Sequence, residues 1–166
     1  MIFNDSLLDQ AETLLDRART AGVMIATAES CTGGLVSGLL TEIAGSSDVV
    51  DRGFVTYSNA AKTEMLGVPA RMIEANGAVS DAVARRMAEE ALLRSNADIA
   101  VAITGVAGPG GSEHKPAGLV HFALARRDGA TIAEVHRFGD RGRDAVRLAS
   151  VATALDLLSQ GVDFFG

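Results

Sequence analysis

Apolar residues recur at the spacing of an amphipathic helix in several parts of the chain. Glycines end three of these runs, at Gly22, Gly45 and Gly67, and Asn59 and Ser80 stand at positions that suit an N-cap. The pattern predicts helices between Asn4 and Gly22, from Leu35 to Gly45, from Ala60 to Leu66, from Asp81 to Ser95 and from about Asp144 to Ser159.

Short apolar runs between these helices predict strands. A turn through Arg127, Asp128 and Gly129 joins the last two strands as an antiparallel hairpin. Helices that alternate with short apolar strands are typical of a parallel sheet covered on both faces. We therefore expect one domain over residues 1–166, an α/β fold with three α/β/α layers and a mixed, mainly parallel sheet. The predicted strands are Val23–Ala28, Gly53–Tyr57, Ile99–Ile103, Leu119–Ala125 and Thr131–Phe138.

The composition is that of a core-forming chain: 48% of the 166 residues are apolar and 22% are charged. The net charge of −6 argues against sequence-independent binding to the phosphates of nucleic acid, because such binding requires a basic face. No run of 18 apolar residues predicts a membrane span, and the acidic N-terminus differs from a signal peptide. A single cysteine cannot form an intramolecular disulfide, which favours a cytoplasmic location.

A turn with several hydroxyl groups follows the first predicted strand and opens a helix. Ser30 in this turn could be a nucleophile, with neighbouring backbone N–H groups as an oxyanion hole. Alternatively, Ser30 and Thr32 are helix caps, and Gly33 and Gly34 only allow the helix to start tightly.

Two neighbours of Ser30 leave alternatives open. Cys31 could be a rival nucleophile, because a thiol at a helix N-terminus is acidified, or it could pack in the core as a small apolar group. Glu29 could be a general base or a buried structural acid.

Only two of the 15 basic residues are lysines, Lys62 and Lys115. Unlike arginine, a desolvated lysine can lose its proton near neutral pH. If Asn59 caps the short helix, Lys62 lies one turn in, near Tyr57, and the helix dipole lowers its pKa toward that of a general base. A solvated surface lysine is the alternative. Coding bias is the alternative for Lys115, which with Pro116 is expected to support the preceding loop.

A glycine-rich loop begins at Thr104 and Gly105, directly after a predicted buried strand. Such loops form anion and nucleotide sites in α/β proteins. Arg141 and Arg147 flank the start of the last helix, where guanidinium groups can hold a phosphate or simply pair with nearby aspartates. The three histidines are scattered at no ligand spacing, so no metal site is predicted.

Together these segments resemble the CinA C-terminal domain family over roughly residues 6–160. Members of that family include single-domain nicotinamide mononucleotide amidohydrolases, and the amino-terminal domain of longer members is not expected here. The resemblance implies hydrolysis of the nicotinamide amide to nicotinic acid mononucleotide and ammonia, without a cofactor. The segments that carry the resemblance are 28–34, 57–59 with Lys62, 77–80, 104–109 with 115–118, and 139–141 with Arg147.

The resemblance implies Ser30 as nucleophile and Lys62 as base, with arginine on the phosphate. The substrate-binding residues that it implies are Thr32, Gly33, Gly34, Tyr57, Asn59, Thr104, Gly105, Arg141 and Arg147. The expected partner is a small-molecule nucleotide rather than nucleic acid or a membrane, and a homo-oligomer, dimer or higher, is compatible with the resemblance. Two alternatives stay open: a nucleotide-binding or regulatory module without turnover, and a hydrolase that depends on Cys31.

Overall fold

A computed structural model describes residues 2–112 and 114–166. No helix within these ranges is both long enough and apolar enough to cross a bilayer. The elements in chain order are α1 (Asp5–Ala21), β1 (Ile25–Glu29), α2 (Leu35–Glu42), a short 3₁₀ turn (Ser46–Asp48), β2 (Val50–Val55), α3 (Asn59–Leu66), α4 (Ala70–Asn76), α5 (Asp81–Leu93), β3 (Ile99–Gly105), β4 (Leu119–Arg126), β5 (Ile132–Arg137) and α6 (Arg143–Phe165).

The five strands form one mixed sheet in the order β2-β1-β3-β4-β5. β1 pairs in parallel with both β2 and β3, while β4 pairs antiparallel with β3 and β5. Four strands therefore run in the same direction and β4 alone is reversed. The predicted hairpin of the last two strands is confirmed.

The two faces of the central strand β3 carry side chains of different size. Ile99, Val101 and Ile103 pack into a core with α1, α2 and α6. Ala100 and Ala102 face the opposite core, formed with α4 and α5. Because alternate residues of a strand point to opposite faces, each core is complete on one side of the sheet. The predicted three-layer α/β/α arrangement is confirmed.

Side-chain caps explain where several helices begin. The Asn4 side chain accepts a hydrogen bond from the Leu7 N–H, and Ser80 caps α5 as predicted. The prediction of Asn59 as a cap is wrong, since the hydroxyl of Ser58 accepts from the Ala61 N–H at 3.0 Å. α3 therefore starts one residue earlier than expected.

Some boundaries also differ from the pattern. α4 was not predicted, because it has only seven residues, one buried apolar side chain and no side-chain cap. β2 begins three residues earlier than expected, at Val50, and ends at Val55. α6 continues to Phe165 instead of ending near Ser159, and Gly161 in the added part lies close to Ile99 of β3 and Leu124 of β4.

Candidate active site

A cleft of about 340 Å³ lies at the carboxyl ends of β1, β2 and β3, where the three loops singled out in the sequence meet. The first turn of α6 contributes one side chain to it. The cleft is lined by Ser30, Cys31, Tyr57, Asn59, Lys62, Ala78, Val79, Thr104, Gly105, Val106, Ala107, Gly108, Pro109, Gly110, Gly111, Ser112 and Arg143.

Ser30 and Lys62 are in direct contact at the base of this cleft. Lys62 Nζ lies 2.8 Å from Ser30 Oγ and 2.9 Å from the carbonyl oxygen of Thr56. The carbonyl oxygen of Tyr57 is 3.4 Å away. Only 1% of Lys62 and 8% of Ser30 are exposed. The solvated surface position that the sequence left open for Lys62 is thereby excluded.

Burial changes the acidity of the Lys62 ammonium. Desolvation lowers the pKa of Lys62 from its ordinary value of 10.5 to about 8, because the charged form loses its hydration. The acceptors that contact Nζ are uncharged carbonyl and hydroxyl oxygens. Lys62 can therefore exchange a proton at a pH close to neutral.

This lowered pKa links folding to pH. Between pH 8 and 10.5 the unfolded chain holds a proton on Lys62 more tightly than the folded chain does. The cost of burying the charged Lys62 ammonium destabilises the folded chain fully below pH 8 and is lost as pH rises toward 10.5. The free energy of unfolding therefore rises with pH in this window. Relative to Lys62→Met, we expect the wild type to gain about 3 kcal/mol across this range, measured by urea unfolding. A parallel pH dependence of the two proteins would contradict the lowered pKa.

The turn after Ser30 depends on two glycines in the left-handed region of backbone space. Gly33 has φ 58° and Gly34 has φ 100°, which residues with a Cβ adopt rarely. Gly34 is the N-cap of α2 and offers no side chain to cap it. Gly33, Gly34 and Thr32 were predicted to bind substrate, but the structure places none of them in the lining of the cleft.

Glu29 supplies the missing cap of α2 from the end of β1. Its fully buried carboxylate accepts hydrogen bonds from the N–H groups of Val36 at 2.9 Å and Ser37 at 3.1 Å. A negative charge is stabilised at a helix N-terminus by these donors and the helix dipole. Of the two open interpretations, the structure supports a buried structural acid. Because side chains alternate along a strand, Ser30 then faces α3 and Lys62.

Cys31 lies beside Ser30 but has different properties. Its side chain is buried in the core formed with α1, α2 and α6. Burial raises the pKa of the Cys31 thiol to about 11, so the thiol stays protonated at neutral pH. This environment favours the packing role for Cys31.

The arginines near α6 are placed differently from the prediction. Arg147 donates to the carbonyl oxygens of Cys31 and Thr32, both at 3.2 Å, and so holds the Ser30 turn from outside the cleft. Arg141 is exposed and lies outside the lining. The cleft instead contains Arg143, which sequence reasoning missed although it lies four residues before Arg147 in the same helix, the spacing of neighbours on one face.

Arg143 connects opposite sides of the cleft mouth. Its guanidinium donates to the hydroxyl of Tyr57 and to the carbonyl oxygen of Gly108, each at 2.9 Å. Tyr57 is 61% exposed, so its ring forms part of the rim. Asn59 and Gly105 also line the cleft as predicted, and Thr104 lines it while donating to the Ala78 carbonyl at 2.9 Å.

Within residues 2–112 and 114–166, no group of three or more histidine, cysteine, aspartate or glutamate side chains could hold a metal ion. His121 and His136 lie on the hairpin strands β4 and β5. His136 contacts Glu134 at 2.9 Å and stacks on Phe138 with ring centroids 5.4 Å apart. These contacts give His136 a partner at the sheet edge, away from the cleft.

Fold and cleft together define a three-layer α/β/α protein with a buried serine–lysine pair at the carboxyl edge of its sheet. A family model described as the CinA C-terminal domain matches residues 8–162. The chain belongs to this family.

Relatives and solved structures agree with that assignment. A "CinA-like protein" of Synechococcus sp. (strain RCC307) is 51% identical over 157 residues, which is 93% of this chain and 37% of that protein. One from Mycobacterium sp. (strain JLS) is 51% identical over 93% of this chain and 35% of its own length. The chain thus spans about a third of these curated relatives. The competence/damage inducible protein CihA of Agrobacterium tumefaciens superposes with a TM-score of 0.93 at 51% identity, covering 97% of this chain and 98% of that one.

Proposed function

We propose that the protein hydrolyses the carboxamide of nicotinamide mononucleotide, producing nicotinic acid mononucleotide and ammonia, with Ser30 as nucleophile and Lys62 as general base. The observation that carries this proposal is the 2.8 Å contact between Lys62 Nζ and Ser30 Oγ in a buried setting. A nucleophile in hydrogen-bond contact with a base of tuned pKa is the arrangement that covalent acyl transfer requires.

Two carbonyl oxygens beside Lys62 can hold its neutral amine in the orientation of a base. A neutral amine has two hydrogens and one lone pair. If the hydrogens point to the carbonyl oxygens of Thr56 and Tyr57, the lone pair is directed at the Ser30 hydroxyl. Lys62 can then accept the proton of Ser30 without rotating.

The reaction follows from this orientation. Ser30 Oγ attacks the amide carbon while its proton passes to Lys62, and a tetrahedral intermediate forms. Lys62 then protonates the leaving nitrogen, the carbon–nitrogen bond breaks and ammonia departs from an acyl-serine. A water molecule, deprotonated by Lys62, attacks the ester. The proton then returns to Ser30 as the carboxylic acid product leaves, and the acid loses its own proton to the solvent.

Backbone N–H groups of the turn after Ser30 are the candidates for stabilising the oxyanion. Within the described part of the chain, neither Cys31 nor Thr32 donates its N–H to another backbone carbonyl. Arg147 and the Glu29 cap of α2 hold the turn on either side. Donors that are already oriented need no reorganisation when charge develops, which is why such a turn suits acyl transfer.

The charge of the cleft supports an anionic substrate. Its lining includes Lys62 and Arg143, and none of the described lining residues is acidic, although the chain has a net charge of −6. An exposed guanidinium at the mouth, 2.9 Å from Tyr57, suits a phosphate group. We therefore assign the 5′-phosphate to Arg143 rather than to Arg141 or Arg147.

Replacing Arg143 with methionine should raise KM for nicotinamide mononucleotide about tenfold or more and change kcat little, because a phosphate contact is made equally in ground and transition states. Hydrolysis of free nicotinamide, which lacks the phosphate, should not respond. Arg137→Met, which removes an exposed charge outside the cleft, is the matched control. An equal loss in both variants would assign the effect to net charge.

The proposed function is tested by ammonia release from purified protein, with nicotinamide mononucleotide and with nicotinamide as substrates. We expect ammonia and nicotinic acid mononucleotide in equal amounts from the nucleotide. Saturable binding of the nucleotide without ammonia release would instead support the nucleotide-binding or regulatory module.

A further inference from the structure

Lys115 takes no part in the proposed chemistry, yet its side chain connects two loops of the cleft. Its Nζ donates to the carbonyl oxygen of Asn76 at 3.4 Å and also to that of Val79. The residue is half-buried and lies beyond the glycine-rich loop that follows β3. The loop that it contacts joins α4 to α5.

Side chains, rather than a backbone ladder, hold the loop from Asn76 to Val79. Lys115 supplies the donors for the carbonyl oxygens at both ends. The two carbonyl oxygens between them accept from Ser80 Oγ at 2.8 Å and Thr104 Oγ1 at 2.9 Å. Within this loop, Ala78 and Val79 line the cleft. The ammonium group of Lys115 therefore satisfies two of the four carbonyl oxygens of this loop, which forms one wall of the cleft.

The backbone of Lys115 is hydrogen-bonded to the glycine-rich loop after β3, which forms the other wall of the cleft. The N–H of Ser112 donates to the Lys115 carbonyl at 2.9 Å, and the N–H of Lys115 donates to the Ser112 carbonyl at 2.8 Å. A Cβ at Gly111 would lie 2.5 Å from the Lys115 carbonyl oxygen, so glycine is needed for this close approach. Gly111 and Ser112 line the cleft.

We propose that Lys115 is a positioning residue that fixes the separation of two walls of the cleft, the Ala78–Val79 wall and the glycine-rich wall, and so sets the affinity for the substrate. Its effect on catalysis rests on the proposed function, whereas its effect on the loop does not. A lysine suits this place because a compact ammonium with three donors can reach two carbonyl oxygens at once.

The test compares Lys115→Met with Arg71→Met, which removes an exposed charge from α4, the helix that precedes the same loop. The first measurement is amide hydrogen exchange at Gly77 and Val83, whose N–H groups are hydrogen-bonded to Ile73 and Ser80. Loss of Lys115 should accelerate this exchange about tenfold, because two bonds to a charged donor are lost. Arg71→Met should leave it unchanged.

The second measurement separates KM from kcat for nicotinamide mononucleotide. We expect Lys115→Met to raise KM about tenfold with kcat within about threefold, because Ser30 and Lys62 remain in place. Lys115→Gln, which retains a shorter donor, should fall between methionine and wild type in both measurements. It also allows the test if the methionine variant does not fold.

The outcomes are distinguishable from those of the proposed function. Unchanged exchange at Gly77 and Val83 in Lys115→Met would overturn the role of Lys115 whatever the activity. Faster exchange with unchanged KM would overturn its effect on affinity. If the wild type released no ammonia, the proposed function would fail, and the exchange measurement would still decide whether Lys115 holds the walls.

Discussion

Ser30→Ala should reduce the hydrolysis of nicotinamide mononucleotide by at least about 10³-fold in kcat, because the variant lacks the oxygen that forms the acyl intermediate. Ser30 contributes little to the cores, so the variant should fold and still bind the nucleotide with near-normal affinity. The measurement is single-turnover ammonia release with enzyme in excess. Rapid quenching of the wild type should trap an acyl-serine, detected as a mass increase on the peptide that contains Ser30.

Cys31→Ala is the matched control, since it removes the neighbouring nucleophile from the same turn. Its thiol is buried and protonated at neutral pH, so activity should stay within about threefold of wild type. A modest loss of stability is expected, because a buried side chain becomes smaller. An inactive Cys31→Ala protein beside an active Ser30→Ala protein would reverse the assignment of the nucleophile.

Lys62→Arg is expected to cause a loss of similar size while the positive charge is retained. A guanidinium cannot release its proton near neutral pH, so it cannot act as the base. It is also larger than an ammonium, and the side chain of Lys62, on α3, is 1% exposed and lies against Ser30. Circular dichroism and thermal unfolding of the variant separate loss of the base from loss of the fold.

The pH dependence of the wild type tests the same residue without a mutation. The base must be neutral, and burial lowers the pKa of Lys62 to about 8. kcat/KM should therefore rise with pH along a limb centred near 8 and level off above it. The pH profile of the residual activity of Lys62→Arg should not show this rise. Near-normal turnover by Lys62→Arg would make Lys62 an electrostatic residue only.

The predictions for Ser30 and for Lys62 both assume that Glu29 is not the base. Glu29 and Ser30 point to opposite faces of the sheet, and this gives them different roles. Glu29, directed to one face, caps α2, and its carboxylate accepts hydrogen bonds from the N–H groups of Val36 and Ser37. Ser30, the next residue, faces α3 and contacts Lys62. If Glu29 were the base, its carboxylate would have to leave two helix donors without an acceptor, which is costly in a buried site.

Much of the fold could be predicted from the sequence, because apolar periodicity and glycine positions are local properties. The runs ended by Gly22 and Gly67 mark the ends of α1 and α3, where both glycines adopt left-handed backbone conformations. The alternation of helices with short apolar strands was sufficient for the three layers. α4 escaped prediction because seven residues with a single buried side chain leave almost no periodic signal.

The sequence by itself determined which segments could carry chemistry, since hydroxyls, glycines and a rare lysine stand directly after predicted strands. Only the tertiary structure decided which of these groups meet. Lys62 is buried against Ser30, 32 residues away in the chain, because parallel pairing of β1 with β2 brings the ends of these two strands together. Likewise, the start of α6 places Arg143 in the cleft and directs Arg147 to the backbone of the Ser30 turn. Side-chain direction at a helix start depends on how that helix packs against the sheet, and no local pattern encodes this packing.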